Sequence, residues 1–452
     1  MTACSEDVIT EMPIEEEEEE VVILDPGEVY PLLVIETGGV EIPDDPKISA
    51  GLNVVWEGKD DYQGKIAIET RGSTSQWFPK QPYAIELKGA DGKDIDFPLC
   101  GMPEEEDWVL HNPYSDKSLL RNFITYEIAR EIQPYASRTQ VCEVELNGEY
   151  QGVYILQERI KRDKNRVDIN KLKEDENEGE DVTGGYIIKI DKATGEEGNT
   201  YTEENSFKSH YNVMRDSIGD DIGAGKTGEE IFYLYHYPKD DDITRQQKEY
   251  IAGYIKEYEE SFLSDNFTDP TEGYRKYVDE DSFIDYMIIT ELSKNIDGYR
   301  LSAYLYKDKN GELTAGPAWD YNLAYGNARG RGIPQDWVFD FNEREPGDFW
   351  LIPFWWKRFL EDPYFTDRLR ARWAELRNSI LSDTALLQLI DAQVQEMEEA
   401  GLIQRNFEKW PILEEEVWPN AYVGGTYEAE IQWMKDWLMT RTSWIDQAIL
   451  AL

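Results

Sequence analysis

The chain is poor in the residues on which much enzyme chemistry depends. Its 452 residues include three histidines (His111, His210 and His236) and three cysteines (Cys4, Cys100 and Cys142). So few histidines argue against a His-based triad or a multi-histidine metal site, and acid–base chemistry falls to carboxylates. No CxxC spacing points to zinc, and three cysteines make no disulfide framework. No apolar run approaches the roughly 18 residues needed to span a bilayer. Positive charge is scarce as well: 46 lysines and arginines stand against 93 acids, for a formal net charge of −47. Such a field opposes general binding to nucleic acid or anionic membrane, while leaving room for a locally basic pocket. The plainest reading of the acid excess is a solvated surface.

What is present is enough apolar material for a large core, 40% of the residues in the broad sense. Length alone suggests two or three domains or lobes. Residues 1–28 are acidic, lack periodicity and read as a flexible tail or tether. Thr2-Ala3 before Cys4, then "SED" and the run Glu15–Glu20, look like a mature lipoprotein start behind an added Met. A lipid anchor through Cys4 and a cell-envelope location are the resulting expectations, though no hydrophobic signal segment accompanies them. An ordinary disordered N-terminus is the alternative.

From about residue 29 the pattern is β-like. "KIAIETRG" and "YAIELKG" alternate as partner strands around the polar loop "STSQWFPKQP". "SDKSLLRNFITYEIAREI" (115–132) has helical spacing and stops at Pro134. "VCEVELNGEYQGVYILQERI" is a hairpin, with Asn147-Gly148 supplying positive backbone angles at its turn. "GGYIIKID" (184–191) is a further short strand. After about residue 240 amphipathic helices dominate, as in "RQQKEYIAGYIKEYEESFL", "DPYFTDRLRARWAELRNSIL" and "TALLQLIDAQVQEMEEAGL". The expected organisation is α+β, with a tail (1–28), a β-rich first lobe (29–240) and a mainly helical second lobe (241–452). A cleft between two such lobes is a natural ligand site.

Two aspartates carry the chemical signal. "DSFIDYMIITELSKNID" predicts a helix capped near Asp281 and ended by Gly298. "LSAYLYKD" and "LTAGPAW" then alternate as strands around a turn at Asn310-Gly311. A hairpin returns its ends to one place, so Asp297 before it and Asp320 after it are predicted neighbours. Carboxylates so placed suit phosphoryl transfer. One accepts the proton of an attacking hydroxyl while the other holds a magnesium ion on nucleotide phosphates. Asn322 and Ser302 are candidate auxiliary metal ligands. The rival explanation is that both aspartates cap turns, as aspartate does routinely. Trp319 and Tyr321 are expected to pack the hairpin end, and Trp355, Trp356 and Trp373 to sit in helical core.

The ordered stretches "RGSTSQWFPKQPYAIELK", "DWVLHNPYSDKSLLRN", "GVYILQERI", "NIDGYRLSAYLY" and "AWDYNLAYGN" resemble the CotH kinase family. The resemblance covers roughly residues 30–330, and five motifs in order are more specific than any one. It implies an atypical protein-kinase-like fold with two lobes, ATP as donor with Mg²⁺ or Mn²⁺, and a protein serine or threonine as acceptor. It implies a catalytic role for Asp297 and metal binding by Asp320. The chain also departs from the pattern. Gly298-Tyr299 stand where Arg-His is common, Ser302 replaces an Asn, and "PKQ" replaces "PKK", keeping Lys80. A serine hydroxyl is a weaker magnesium ligand than an amide carbonyl, which places both metal affinity and activity in question.

The loop around Arg71, Ser73, Ser75 and Lys80 gathers cations and hydroxyls that can bind phosphate. It lacks the glycines of a phosphate-cradling loop, and the resemblance is what favours phosphate contact over a solvated lysine. Lys189 and Glu158 occupy strand positions where a kinase-like lysine–acid pair can orient phosphates. Charges on solvated strand faces are the alternative for both.

The leading expectation is therefore a CotH-like kinase, with Asp297 as base, Asp320, Asn322 and Ser302 toward metal, and Arg71, Ser73, Lys80, Glu158 and Lys189 toward nucleotide. One rival is a pseudokinase or adhesion-type envelope module, motivated by Ser302 and by the scarcity of ATP in the envelope. The other is a glycan-active hydrolase, motivated by 14 tryptophans and 28 tyrosines. A hydrolase needs carboxyls about 5–10 Å apart across an open aromatic cleft.

Overall fold

Alternating strands in the first third fold into a closed barrel in the computed structural model, which describes residues 25–194, 199–210 and 231–452. Cys4 and most of the acidic segment 1–28 lie outside the described residues. The barrel comprises β1 (Leu32–Glu36), β2 (Ile48–Trp56), β3 (Lys59–Thr70), β4 (Tyr83–Lys88), β5 (Asp107–His111), β6 (Thr139–Leu146) and β7 (Glu149–Glu158). Its order is β1-β2-β3-β4-β5-β7-β6. Closure comes from β1, which pairs antiparallel with β2 and parallel with β6, so no strand edge is left open. Alternation fills the interior: Leu33 and Ile35, Leu52 and Val54, Ile66 and Ile68, Ile85 and Leu87 form one buried cluster. The β6–β7 turn is the expected one, with Asn147 at φ 51° and Gly148 at φ 78°.

A second sheet is made of β8 (Tyr186–Ile190), β9 (Ser206–Lys208), β10 (Phe232–Tyr237), β11 (Ala303–Lys307) and β12 (Leu313–Ala315). Its order is β12-β11-β8-β10-β9. The aspartate hairpin, β11–β12, is thus an edge of a sheet whose other strands precede residue 240. The described helices are α1 (Arg121–Ile132), α2 (Arg245–Leu263), α3 (Glu280–Ser293), α4 (Phe341–Arg344) and α5 (Phe354–Arg358), followed by four more. These are α6 (Pro363–Arg377), α7 (Asp383–Glu399), α8 (Leu402–Lys409) and α9 (Tyr427–Ala448). One core joins α1, the second sheet and the later helices, including Trp355, Trp356 and Trp373. The molecule is therefore a mixed α+β protein with a seven-stranded barrel that strand alternation alone does not announce.

Two helix boundaries differ from the sequence expectation for local reasons. Helix α1 begins at Arg121, not near residue 115, because Asp116 gathers the preceding turn onto its carboxylate. It accepts from the Ser118 amide at 3.1 Å and the Arg121 amide at 2.8 Å, and pairs with the Arg121 guanidinium. Helix α3 starts after Asp279, leaving Asp281 in its first turn, and ends at Ser293. Lys294, not Gly298, takes the left-handed terminating position, at φ 46°. Gly298 is required for packing, since a Cβ there would stand 2.3 Å from Thr290 Cγ2 on α3.

Candidate active site

Helix α1 builds the frame for Asp320. Side chains along its length, and Gln133 just past its end, accept backbone amides of the segment that follows β12. Gln133 Oε1 takes the Ala318 N–H at 3.1 Å, the Tyr126 hydroxyl takes that of Asp320 at 3.0 Å, and Asn122 Oδ1 takes that of Tyr321 at 2.6 Å. Asn122 and Tyr126 are one helical turn apart, so a single face holds consecutive residues of the loop. Trp319 and Tyr321 are buried beside it, as the pattern predicts.

Asp297 sits in the turn between α3 and β11. The Asn295 side chain joins this turn to the Asp320 loop: its Oδ1 accepts from Asp297 N at 3.2 Å, and its Nδ2 donates to the Asp320 carbonyl at 3.1 Å. Asp297 Oδ1 takes a hydrogen bond from Arg300 Nη2 at 2.8 Å. Arg300 is itself fixed by donation to the carbonyls of Ile296 (2.8 Å) and Trp350 (2.9 Å), by Asp348 at 3.1 Å, and by stacking on Phe341. The fold-back of the hairpin therefore brings the two acids into electrostatic contact, with Asp297 oriented by a buried arginine.

Asp320 is treated differently. Among the described residues its carboxylate has neither hydrogen-bond donor nor ion-pair partner. Burial and then the neighbouring Asp297 push its pKa up to about 6, with Arg71 opposing. Asn322 and Ser302, both half-buried, likewise have side chains without a partner among the described residues. The backbone here is strained. Tyr299 (φ 68°), Ser302 (φ 50°), Asp320 (φ 61°) and Tyr325 (φ 46°) all occupy the left-handed region without being glycine. Such positions cost of order 1 kcal/mol or more each and gather at functional sites.

The basic residues divide into two sets. Arg71 lies over the Trp319 ring at 5.6 Å and is among the charges felt by Asp320; burial lowers its pKa. Ser73 meets Thr194 at 3.5 Å, which leans the 71–82 loop on the segment after β8. Lys189, on β8, lies 4.0 Å from Asp191, another charge in the field of Asp320. Of these three, Arg71 is the one whose charge acts on Asp320, together with Lys192 from the segment after β8; Ser73 and Lys189 reach that segment through Thr194 and Asp191.

Lys80 and Glu158 do not. Lys80 is neither solvated nor turned toward the acids. Its Nζ donates to the Val153 carbonyl and, at 3.0 Å, to Asn406 Oδ1 on α8, with the Tyr154 ring 4.9 Å away. Burial brings its pKa down to about 7. Glu158 is fully buried and accepts from the Arg138 side chain (2.9 Å), the Arg138 amide (2.9 Å) and Tyr135 (3.2 Å). It makes no pair with Lys189. Strand alternation separates the two: the next residue, Arg159, is the charge that enters the environment of both Arg71 and Tyr304.

Asn295 and Arg300 lie inside the "NIDGYRLS" stretch, yet their roles depend on tertiary partners more than 20 residues away. Two other features carry less chemistry. Asp96, Glu105 and Glu106 cluster closely enough to hold a cation, but the Lys161 ammonium already binds Glu105 at 2.9 Å and also Glu106. A cavity of about 370 Å³ between residues 328–334 and α9 is lined by Trp433 and Trp437 and includes neither acid.

A curated-protein search returned no match. The profile of the family described as CotH kinase protein covers residues 68–445, which include Arg71, Lys189, Asp297 and Asp320. Nearly the whole chain is matched, and the protein belongs to the CotH kinase family.

Proposed function

We propose that the protein is an ATP-dependent kinase that phosphorylates serine or threonine of a protein substrate, with residues 29–240 and 241–452 acting as two kinase-like lobes. The observation that carries this reading is the unequal acid pair. Asp297 is held by Arg300, while Asp320, with a raised pKa, is left without a partner beside Arg71. Asp320, Asn322 and Ser302 offer oxygen donors of the kind a hard divalent cation takes, so the residues fit Mg²⁺ or Mn²⁺. When bound, such an ion supplies neutralisation of phosphate charge.

The chain's own residues account for the rest. Asp297, with Oδ1 fixed by Arg300, keeps its other oxygen for the proton of an attacking hydroxyl. Asn295 sets the spacing of that base from Asp320 through its two backbone hydrogen bonds. Arg71 and Lys189 supply positive charge for phosphate oxygens, and Ser73 a hydroxyl at the rim. Purified protein incubated with ATP, Mn²⁺ or Mg²⁺ and a generic acceptor protein should turn over ATP, and Asp297→Ala should reduce the rate by about 10²–10⁴-fold. Equal turnover in native and variant protein would reject the reading.

Ser302 supports a second reading, nucleotide binding with little transfer, because a strained serine stands at a candidate metal position. Nucleotide binding without turnover would select it. The hydrolase reading loses its motivation, since Trp355, Trp356 and Trp373 are core residues, and Trp77 and Trp418 are the exposed tryptophans among the described residues.

A further inference from the structure

The cavity of about 370 Å³ beside α9 has aromatic and aliphatic walls: Trp433 and Trp437 from the helix, with Ala328, Ile333, Pro334 and Ala421. Its volume lies within the roughly 300–1,000 Å³ of ligand pockets. Ile333 stays 52% exposed at its edge, and two further exposed apolar residues, Trp418 and Val423, flank Ala421 in the chain. Exposed apolar side chains gathered in this way mark an interaction surface. The walls are held in place. Trp437 Nε1 donates to the Gly332 carbonyl at 2.6 Å, and Trp433 stacks on Tyr422 with ring centroids 5.1 Å apart. Close approach of the backbone completes the fit, since a Cβ on Gly326 would stand 2.5 Å from Trp433 Cη2.

The charge at the rim is of one sign. Asp436 lines the cavity, and its carboxylate accepts from Gln432 Nε2 at 2.8 Å but meets no cation among the described residues. The cations near it in sequence, or next to the opposite wall, are already paired. Arg329 binds Glu416, Arg331 binds Glu345 (3.0 Å) and Asp348 (3.1 Å), and Lys435 binds Asp391. Two donors of the lining are spent as well: the Trp437 N–H on Gly332, and the Thr440 hydroxyl on the Asp436 carbonyl at 2.8 Å. Such a site suits a ligand that brings apolar surface and positive charge together. The net charge of −47 acts in the same direction, repelling a second copy of this chain or an anionic membrane and drawing in a cationic partner.

We infer that this groove docks a segment of a partner protein that presents an apolar side chain beside a lysine or arginine. The apolar side chain enters between Ile333 and the α9 tryptophans, and the cation pairs with Asp436. The groove lies apart from the acid pair, yet its wall continues the Asp320 loop. Asn327 Nδ2 donates to the Asn322 carbonyl at 3.0 Å, and the next residue, Ala328, lines the groove. A docked partner is therefore held at raised local concentration near the segment that carries Asp320. The docking surface stands whether or not the chain transfers phosphate.

The test is selection from a random-peptide phage library on the full-length protein, followed by calorimetric titration of synthetic copies of the enriched peptides. The enriched peptides should share an apolar residue next to a lysine or arginine, and rising salt should weaken their binding. Asp436→Lys and Ile333→Glu should each lower their affinity by about tenfold or more. Both side chains are exposed, so the melting temperature of each variant should stay near the native value. No enrichment, enrichment of acidic peptides, or native-like affinity in both variants would overturn the proposal. Self-association of the native protein that Ile333→Glu abolishes, with no peptide bound, would assign the groove to a second copy of the chain and overturn it too.

Discussion

Two acids less than thirty residues apart in sequence, Glu291 buried and Asp320 half-buried, meet opposite fates. Glu291, at the end of α3, is 3% exposed and fully satisfied. Its carboxylate receives Arg441 Nη2 at 3.0 Å, the amides of Val338 (2.8 Å) and Phe339 (3.1 Å), and the Tyr299 hydroxyl at 3.1 Å. Asp320 is held just as firmly through its backbone, yet its carboxylate has no donor among the described residues. Burial raises the pKa of both acids; around Glu291 an arginine and three hydrogen-bond donors oppose it, whereas around Asp320 only the charges of Arg71 and Lys192 do. One carboxylate clamps α3 to α9 and to the 338–339 turn; the other is kept open at the cost of stability. That contrast separates a structural acid from one awaiting a ligand.

The largest effect should come from breaking the clamp. Arg441→Met leaves Glu291 buried without its cation and should destabilise the protein by about 3–5 kcal/mol in urea unfolding. A loss below about 1 kcal/mol would show that the two acids are not so different.

Asp320→Asn should act in the reverse direction. Folding raises the Asp320 pKa from 3.8 to about 6, so the folded state holds a proton that the unfolded chain has released. Its contribution is therefore most favourable below about pH 4 and is lost as pH rises through about 6. Removing the charge should stabilise the metal-free protein by roughly 1–3 kcal/mol at pH 7, and the gain should vanish below about pH 4. Melting curves of both proteins across this range check the sign.

Ser302→Asn should have the smallest effect on stability. Asparagine tolerates the left-handed region better than serine, so a gain of a few tenths of a kcal/mol is expected at φ 50°. The added amide oxygen should also tighten Mn²⁺ binding in the presence of nucleotide. Unchanged metal affinity would place Ser302 outside the ligand set.

The Asp320 side of this contrast was legible in the sequence, the Glu291 side was not, and for identifiable reasons. The Asp297–Asp320 relation is local in topology: a short hairpin with a turn at Asn310 returns the chain to its start, and alternation alone reveals it. The five motifs added the family. The barrel was not legible, because its closing contact is a parallel pairing of β1 with β6, over 100 residues apart. Lys80 was misplaced for a similar reason. Nothing near "FPKQP" announces that Asn406, on α8, will bury its ammonium. Arg159 was hidden by its neighbour: Glu158 and Arg159 are both charged, and only the pairing of β7 with β6 and β5 decides which one turns inward.

The most direct test of the difference between the two acids is Mn²⁺ titration in the presence of a non-hydrolysable ATP analogue. Native protein, Asp320→Asn and Glu291→Gln would be compared at pH 7. Asp320→Asn should lose at least about 100-fold in Mn²⁺ affinity, while Glu291→Gln, though less stable, should bind as native protein does. Mn²⁺ binding by Asp320→Asn at native affinity would contradict the assignment of Asp320 as the open acid of the site.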